Sequence, residues 1–268
     1  MNGEGDIQRQ LQLKIVDILV EIDRICKKHD IKYYLAYGTA IGAVRHNGFI
    51  PWDDDADIHM FKEDYEKFAE VCKSELGDKF FLQNEQTDKG YKMYLPKVRM
   101  NNTAFVESFT KDWDIHHGIY VDIFILDECP KSDLLKKLNV QIRRTTEFSK
   151  KGRSAYKLYK KIIQNMMDPI FKNNRVLNLW EKTIFKYCKK DDEFCMDVND
   201  FGNVLPLKVF GVPKNMMFEG YEFSVPEKVE EYLTYYYGDF MTLPPEEERV
   251  SHHGIVYIDL NGVYKKDS

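Results

Sequence analysis

The sequence predicts an α/β (α+β) fold, a mixed β-sheet flanked by helices. Three observations carry that expectation: helical periodicity near the N-terminus, short β-branched and aromatic runs alternating with helix signals as far as Pro130, and a long helix-like tract beyond it. A chain of 268 residues, 43% of them hydrophobic, is long enough to bury one substantial core beside a smaller helical lobe.

From Asp6 to Asp30 the residues Ile7, Leu11, Ile15, Ile18, Leu19, Ile22 and Ile25 recur at spacings of three and four, the stripe of an amphipathic helix. Tyr33 to Tyr37 reads as a short aromatic strand that Gly38-Thr39 interrupts, and Ala40 to Arg45 as a short helix. Asn47-Gly48 is a turn signal and Pro51 a breaker. Asp55 to Phe61 then alternates polar residues with Ala56, Ile58 and Met60, the period of a half-buried strand. Asp64 is placed to cap a helix running toward Leu76. Further strands are expected at Phe80 to Leu82, Tyr91 to Met100, Thr103 to Val106 and Ile119 to Leu126. Ser132 to about Lys190 is helical in composition and rich in Lys and Arg, either a solvated face or a face that docks on an acidic polymer or membrane surface. The expected division is a core over 1–130, a helical region over 131–200 and a C-terminal segment over 201–268 that completes the cleft.

A formal net charge of −5 argues against a general nucleic-acid binder, which needs a basic field to displace counterions. The five cysteines are scattered, without a CxxC pair, and fit a reducing cytoplasm. The first ten residues carry no apolar signal core, and no run reaches the roughly 18 apolar residues of a membrane-spanning helix. A cytoplasmic protein is expected, and association with the inner face of the cell membrane is compatible with this reading.

The chemistry concentrates between Gly38 and Asp57, where small residues precede Asp53, Asp54, Asp55 and Asp57. Carboxylates so crowded repel, and Mg²⁺ or Mn²⁺, which prefers oxygen ligands, offsets that repulsion. On a strand, Asp53, Asp55 and Asp57 share one face while Asp54 and Ala56 point away. Asp55 and Asp57 are the leading metal ligands. A solvated acidic turn is the bland alternative, against which Trp52, Ile58 and Met60 weigh. His59 continues the same face, as a packing residue or a further ligand. In Tyr120-Val121-Asp122-Ile123-Phe124-Ile125 a lone carboxylate interrupts an apolar strand and needs a partner. That partner is either a metal shared with Asp55 and Asp57, in which case Asp122 is also placed to accept a hydroxyl proton, or a cation such as Arg99. Gly38 and Thr39, at a helix start, suit a phosphate, and Arg45, His46, Lys97 and Arg99 are candidate phosphate contacts.

The stretch GTAIGAVRHNGFIPWDDDADI resembles the signature of the LicD family, and the resemblance extends to KVRMNNTAF, to HHGIYVDIFILD and to MMFEGYEFSVPEKVEEYLTYYYGDFMTLPPEEERVSHH. It implies a nucleotidyltransferase-like fold whose Gly-Thr turn, Asp-x-Asp strand and third aspartate correspond to Gly38-Thr39, Asp55/Asp57 and Asp122. The implied activity is metal-assisted transfer of phosphocholine or a related phospho-substituent from a CDP-linked donor to a hydroxyl of a glycan or lipid-linked glycan, such as lipopolysaccharide or teichoic acid, with release of CMP. Two positions depart from the pattern, Ala56 in place of a larger aliphatic and His59 in place of a small residue. Within the C-terminal segment, Tyr237, Arg249, His252 and His253 are candidates to meet a base, a sugar or a choline-like cation. Two other functions stay open at this level: transfer of a nucleoside monophosphate to a small molecule or protein, and a silent module that binds a nucleotide or partner.

Overall fold

The computed structural model describes residues 4–151, 190–199, 203–251 and 253–265, together with Leu179 and Thr183. Along the chain run α1 (Glu4–Lys28), β1 (Tyr34–Leu35), α2 (Tyr37–His46), β2 (Asp57–Phe61), α3 (Lys62–Glu75), β3 (Phe80–Gln83), β4 (Lys97–Met100), β5 (Ala104–Glu107) and β6 (Tyr120–Pro130). There follow α4 (Asp133–Lys151), β7 (Lys190–Asp197), β8 (Val204–Pro206), β9 (Lys214–Phe218), β10 (Tyr221–Val225), α5 (Val229–Tyr237) and β11 (Ile255–Asp259). This is the mixed sheet with flanking helices that the sequence predicts. The chain divides into two compact units, one of Met1–Tyr91, Leu95–Ile125 and Lys208–Ser268, the other of Lys92–Tyr94 and Leu126–Leu207.

In the first unit the strand order is β1-β2-β6-β4-β3. The apolar stripe of α1 is buried from Leu11 to Ile25, whereas Ile7, one turn earlier, stays exposed. The strand expected from Tyr91 contracts to Lys97–Met100, because Pro96 has no N–H to give the ladder and contributes only its carbonyl, which accepts from Ile123 N–H at 2.9 Å. Asp64 does not cap α3; the helix begins two residues earlier, and the Asp64 carboxylate accepts from Lys32 N–H instead. β9 and β10 form a hairpin, and β11 pairs with β5. Tyr34, Phe61, Phe210 and Tyr232 make an aromatic core beneath the sheet edge, with edge-to-face or tilted rings 5.3–6.4 Å apart.

In the second unit the distal half of β6 pairs with β7, and β7 with β8. The tract expected to be helical to about Lys190 opens with α4 and ends at β7; most of what lies between falls outside the described residues. Cys129 and Cys195 are buried free thiols on these strands. Among the described residues no helix is long and apolar enough to cross a membrane.

Candidate active site

The site is assembled where β2 and β6 lie side by side. Asp122 N–H donates to Ala56 O at 2.9 Å, which sets Asp122 on β6 across from the backbone between Asp55 and Asp57. α2 is tied to the same point: the Asp57 N–H donates to the buried Thr39 hydroxyl at 2.9 Å, and Ala36 N–H to Asp57 O at 2.9 Å. Gly38 leaves room for the Asp53 carboxylate: a Cβ there would lie 2.9 Å from Asp53 Oδ2, so a larger residue would make that carboxylate shift. The loop before β2 is held from α1, where the Gln12 amide donates to Asp53 O at 2.9 Å and the Gln8 amide to Pro51 O at 3.0 Å. A turn from far along the chain completes its support, as Glu219, at the tip of the β9–β10 hairpin, accepts from Phe49 N–H at 3.1 Å while its own N–H donates to Asn47 O.

Burial and mutual repulsion dominate the electrostatics. Burial, with the charges of Asp55 and Asp54, pushes the Asp53 carboxyl up to about 7. Asp55 is pushed up to about 6 by burial; His253 opposes the shift, and Asp122 and Asp54 add to it. Asp57 lies well above the carboxylate range, because burial is joined by Asp55, Asp122 and Asp53. Burial raises Asp122 as well, against the Lys97 ammonium 2.5 Å away. Asp122 therefore has a cationic partner, and it is Lys97 rather than Arg99. The register explains why: Lys97 stands opposite Asp122, and Arg99 opposite Tyr120.

The structure gathers Asp53, Asp55, Asp57, Asp122, Thr39 and Lys97 at the β2–β6 junction, and brings His253 in from the C-terminal segment. His253 Nδ1 lies 2.9 Å from Asp54 Oδ1, and Nε2 lies 3.6 Å from Asp55 Oδ2. Burial works against its charge, but the Asp54 hydrogen bond and the neighbouring carboxylates hold the imidazole up to about 9. Asp54, expected to face away, is buried and accepts from Ser251 Oγ as well. One donor atom each from Asp54, Asp55 and His253 falls within 4.8 Å of the others.

Other candidates are placed differently. Arg99 is buried, with its guanidinium bonded to Gln83 Oε1 and Gly118 O, both at 2.5 Å. Arg45 and His46 occupy the last turn of α2, about 9 Å along the helix axis from Thr39, and the Arg45 guanidinium donates to Phe240 O and to His46 Nε2. Arg249 donates to Pro244 O and lies 5.7 Å from the Trp52 ring; Tyr237 is exposed on α5. His252 lies outside the described residues. His59 is buried against Tyr37, Phe124 and Tyr232, with Nε2 3.0 Å from the Tyr232 hydroxyl. Sequence reasoning missed Asp54, Gln12, Ser251 and Glu219 as builders of this site. Asp54, inside the acidic run, and Ser251, beside His252 and His253, carried a local signal; Gln12 and Glu219 carried none.

With that geometry in place, comparison with known proteins is informative. The family described as LicD/FKTN/FKRP, nucleotidyltransferase domain, matches residues 30–152. The lipopolysaccharide cholinephosphotransferase LicD of Haemophilus influenzae is 30% identical over 256 residues, covering 91% of this chain and 95% of that protein. The chain belongs to the LicD family. Shorter similarities join it to an uncharacterized protein of Rickettsia prowazekii, 31% identical over 93 residues (28% of this chain, 35% of that protein). Another links it to one of Rickettsia typhi, 37% identical over 65 residues (24% and 21%). In this LicD-family chain the matched span holds Thr39, Asp55, Asp57, Lys97 and Asp122, whereas Glu219, Ser251 and His253 lie beyond it.

Proposed function

We propose that the chain moves phosphocholine from CDP-choline to a hydroxyl of a surface glycan, releasing CMP. The observation that carries this reading is the placement of Asp57 and Asp122 on two neighbouring strands with Asp55 in the loop that leads into the first, each acid with its ionisation opposed by the others' charge or by burial. The choline phosphate and the glycan acceptor are supported by the name of the Haemophilus relative, which this chain matches over nearly its whole length.

The donor set fits a hard divalent cation, Mg²⁺ or Mn²⁺. It offers carboxylate oxygens; the Lys97 ammonium and the His253 imidazole offset part of the charge on Asp122 and Asp55, but burial and mutual repulsion still hold Asp55 and Asp57 above the carboxylate range, a repulsion that a bound cation would relieve. Asp55 and Asp57, with Asp122, would hold it; when bound, it supplies neutralisation of the donor's diphosphate. The protein's own groups do the rest. The acceptor oxygen bonds to the phosphorus that carries choline, the bond from that phosphorus to the bridging oxygen breaks, and CMP leaves with that oxygen. The acceptor proton passes to Asp122, which the Lys97 ammonium helps to keep ionised and ready to receive it. Thr39 holds the Asp57 backbone, and with it the acid, in register. A lipid-linked acceptor would bring the protein to the inner face of the membrane.

The test is CMP release from CDP-choline with Mg²⁺ or Mn²⁺ and a glycan acceptor, comparing wild type with Asp57→Asn. Metal-dependent CMP release with choline phosphate on the acceptor, abolished in the variant, is the expected result. Pyrophosphate release with a nucleotide on the acceptor would overturn it in favour of nucleotidyl transfer.

A further inference from the structure

Tyr37, the first residue of α2, is held at φ 46°, a left-handed conformation that a bulky aromatic residue rarely adopts. No side chain caps the helix at this end. Instead the Tyr37 N–H donates to the Tyr232 hydroxyl at 3.0 Å, in a buried contact spanning 195 residues of sequence. The same hydroxyl lies 3.0 Å from His59 Nε2, so one phenol from α5 touches both α2 and β2. The Tyr37 ring is fixed by edge-on contacts to His59, Phe124 and Tyr236, each with centroids 4.9 Å apart, and its own hydroxyl accepts from Tyr236 at 3.0 Å.

The strained residue directly precedes the turn that builds the site. Gly38 follows, passing within a Cβ's width of the Asp53 carboxylate, and then Thr39, whose hydroxyl receives the Asp57 N–H. His59 lies two residues beyond Asp57 on the same face of β2. The Tyr232 hydroxyl therefore joins α2 and β2 beside the Thr39–Asp57 bond. A buried backbone outlier of this kind persists only where its surroundings over-determine it, and outliers gather where geometry serves chemistry.

We infer that Tyr232 is a positioning residue for the transfer site: its hydroxyl holds the left-handed backbone of Tyr37 and so fixes the Gly38-Thr39 turn against Asp57. The inference rests on the transferase reading of the site, and Tyr232 acts through Tyr37 rather than on substrate. Without the hydroxyl, the Tyr37 N–H loses the buried bond that holds it, and the residue relieves its left-handed strain by turning toward an ordinary φ. Gly38 and Thr39 turn with it, which displaces Asp57 from its place beside Asp122. Misplacement of reacting groups by about 1 Å costs on the order of a hundredfold in rate.

The experiment compares Tyr232→Phe with Tyr34→Phe in the full chain. Tyr34→Phe also removes a buried phenol bonded to backbone; Tyr34 lies four residues before Gly38 and opposite His59, but its hydroxyl donates to Gly211 O at 3.0 Å rather than to the Gly38-Thr39 turn, so it is a control from the same neighbourhood. CMP release from CDP-choline is measured over a range of donor concentrations, with Asp57→Asn as the inactive reference, and amide hydrogen exchange is followed at Tyr37. Tyr232→Phe is expected to lower kcat by about tenfold to a hundredfold, with a smaller change in KM for CDP-choline, and to speed exchange at the Tyr37 amide. Tyr34→Phe is expected to keep the wild-type kcat and Tyr37 exchange while losing comparable thermal stability. An unchanged kcat in Tyr232→Phe, or an equal loss in both variants, overturns the inference. If wild-type protein releases no CMP, the transferase reading fails; the exchange measurement still decides the clamp, and unchanged exchange at Tyr37 in Tyr232→Phe overturns it.

Discussion

Replacing Lys97 by methionine removes the ammonium 2.5 Å from Asp122 Oδ1 while filling a similar volume, in a place where the two side chains are 3% and 7% exposed. At that separation, and with an effective dielectric constant of about 20, the gross attraction is about 7 kcal/mol. Desolvation of both ions offsets much of it. What the variant loses is set by the carboxylate it strands, and breaking a buried pair from one side costs about 3–5 kcal/mol. That figure includes the lost contact of the ammonium with the Tyr120 ring, whose centroid lies 3.5 Å from Nζ. The cost also depends on pH in a definite direction. Without Lys97, burial and Glu107 act unopposed by their main counterweight, so the folded-state pKa of Asp122 moves further above its unfolded value of about 4. A carboxyl raised in the folded state destabilises above the unfolded pKa, and the deficit shrinks as acid protonates it in both states. Urea unfolding in EDTA at pH 7.5 and at pH 4.5 measures both effects. The expected result is a deficit of about 3–5 kcal/mol against wild type at the higher pH, visibly smaller at the lower, and mostly recovered in Lys97→Met/Asp122→Leu. A deficit below about 1 kcal/mol at pH 7.5, or one that does not change with pH, would refute the reasoning.

Asp57→Asn should lower CMP release by about a hundredfold or more, yet leave the metal-free protein as stable as wild type or more so, since the charges of Asp55, Asp122 and Asp53 no longer face a fourth. Melting with and without Mn²⁺ checks this, and the metal-induced rise in Tm should be lost in the variant. Gly42→Ala places a Cβ 2.4 Å from Gly48 O and 3.3 Å from the Phe218 ring, and should cost about 1–3 kcal/mol in urea unfolding because the nearer atom is backbone. His116 is held down to about 4 by burial and the Arg99 charge, with its ring stacked on Phe81 and bonded to Asn101 and Gly118. Its neutral form favours the fold, so its contribution is whole above pH 6.5 and is lost as pH falls toward 4. An NMR titration of His116 should find a midpoint near 4, and His116→Gln should flatten the loss of stability across that window.

The parts of the site written locally were the parts that could be read. Alternation expected Asp55 and Asp57 on one face of a strand, although β2 begins only at Asp57 and Asp55 lies in the loop before it; a single acid in the apolar run around Asp122 marked a group that had to be paired. Whether its partner was Lys97 or Arg99 could not be read, because both lie on one face of β4 and only the register with β6 separates them. Alternation misled at Asp54. The residue precedes β2, so strand periodicity does not govern it, and its partners Ser251 and His253 lie nearly two hundred residues away. Gly38 was legible as a special residue but for another reason, since the close neighbour is the Asp53 carboxylate. The long strand before Met100 failed at Pro96, which the apolar pattern outweighed and the missing N–H decided.

Two contacts that brace α2 and the acidic loop, Phe49 N–H to Glu219 and Tyr37 N–H to Tyr232, reach across 170 and 195 residues. During synthesis at about 5–20 residues per second, the acidic loop waits about 10–40 s for the hairpin and helix that fasten it. The emerging chain thus carries its carboxylates long before it carries their scaffold. Closure of such distant contacts is slow in folding terms, and the fastening cannot form until the chain has been made as far as Tyr232. A chain released early, short of Tyr232, would display the acids without the means to aim them.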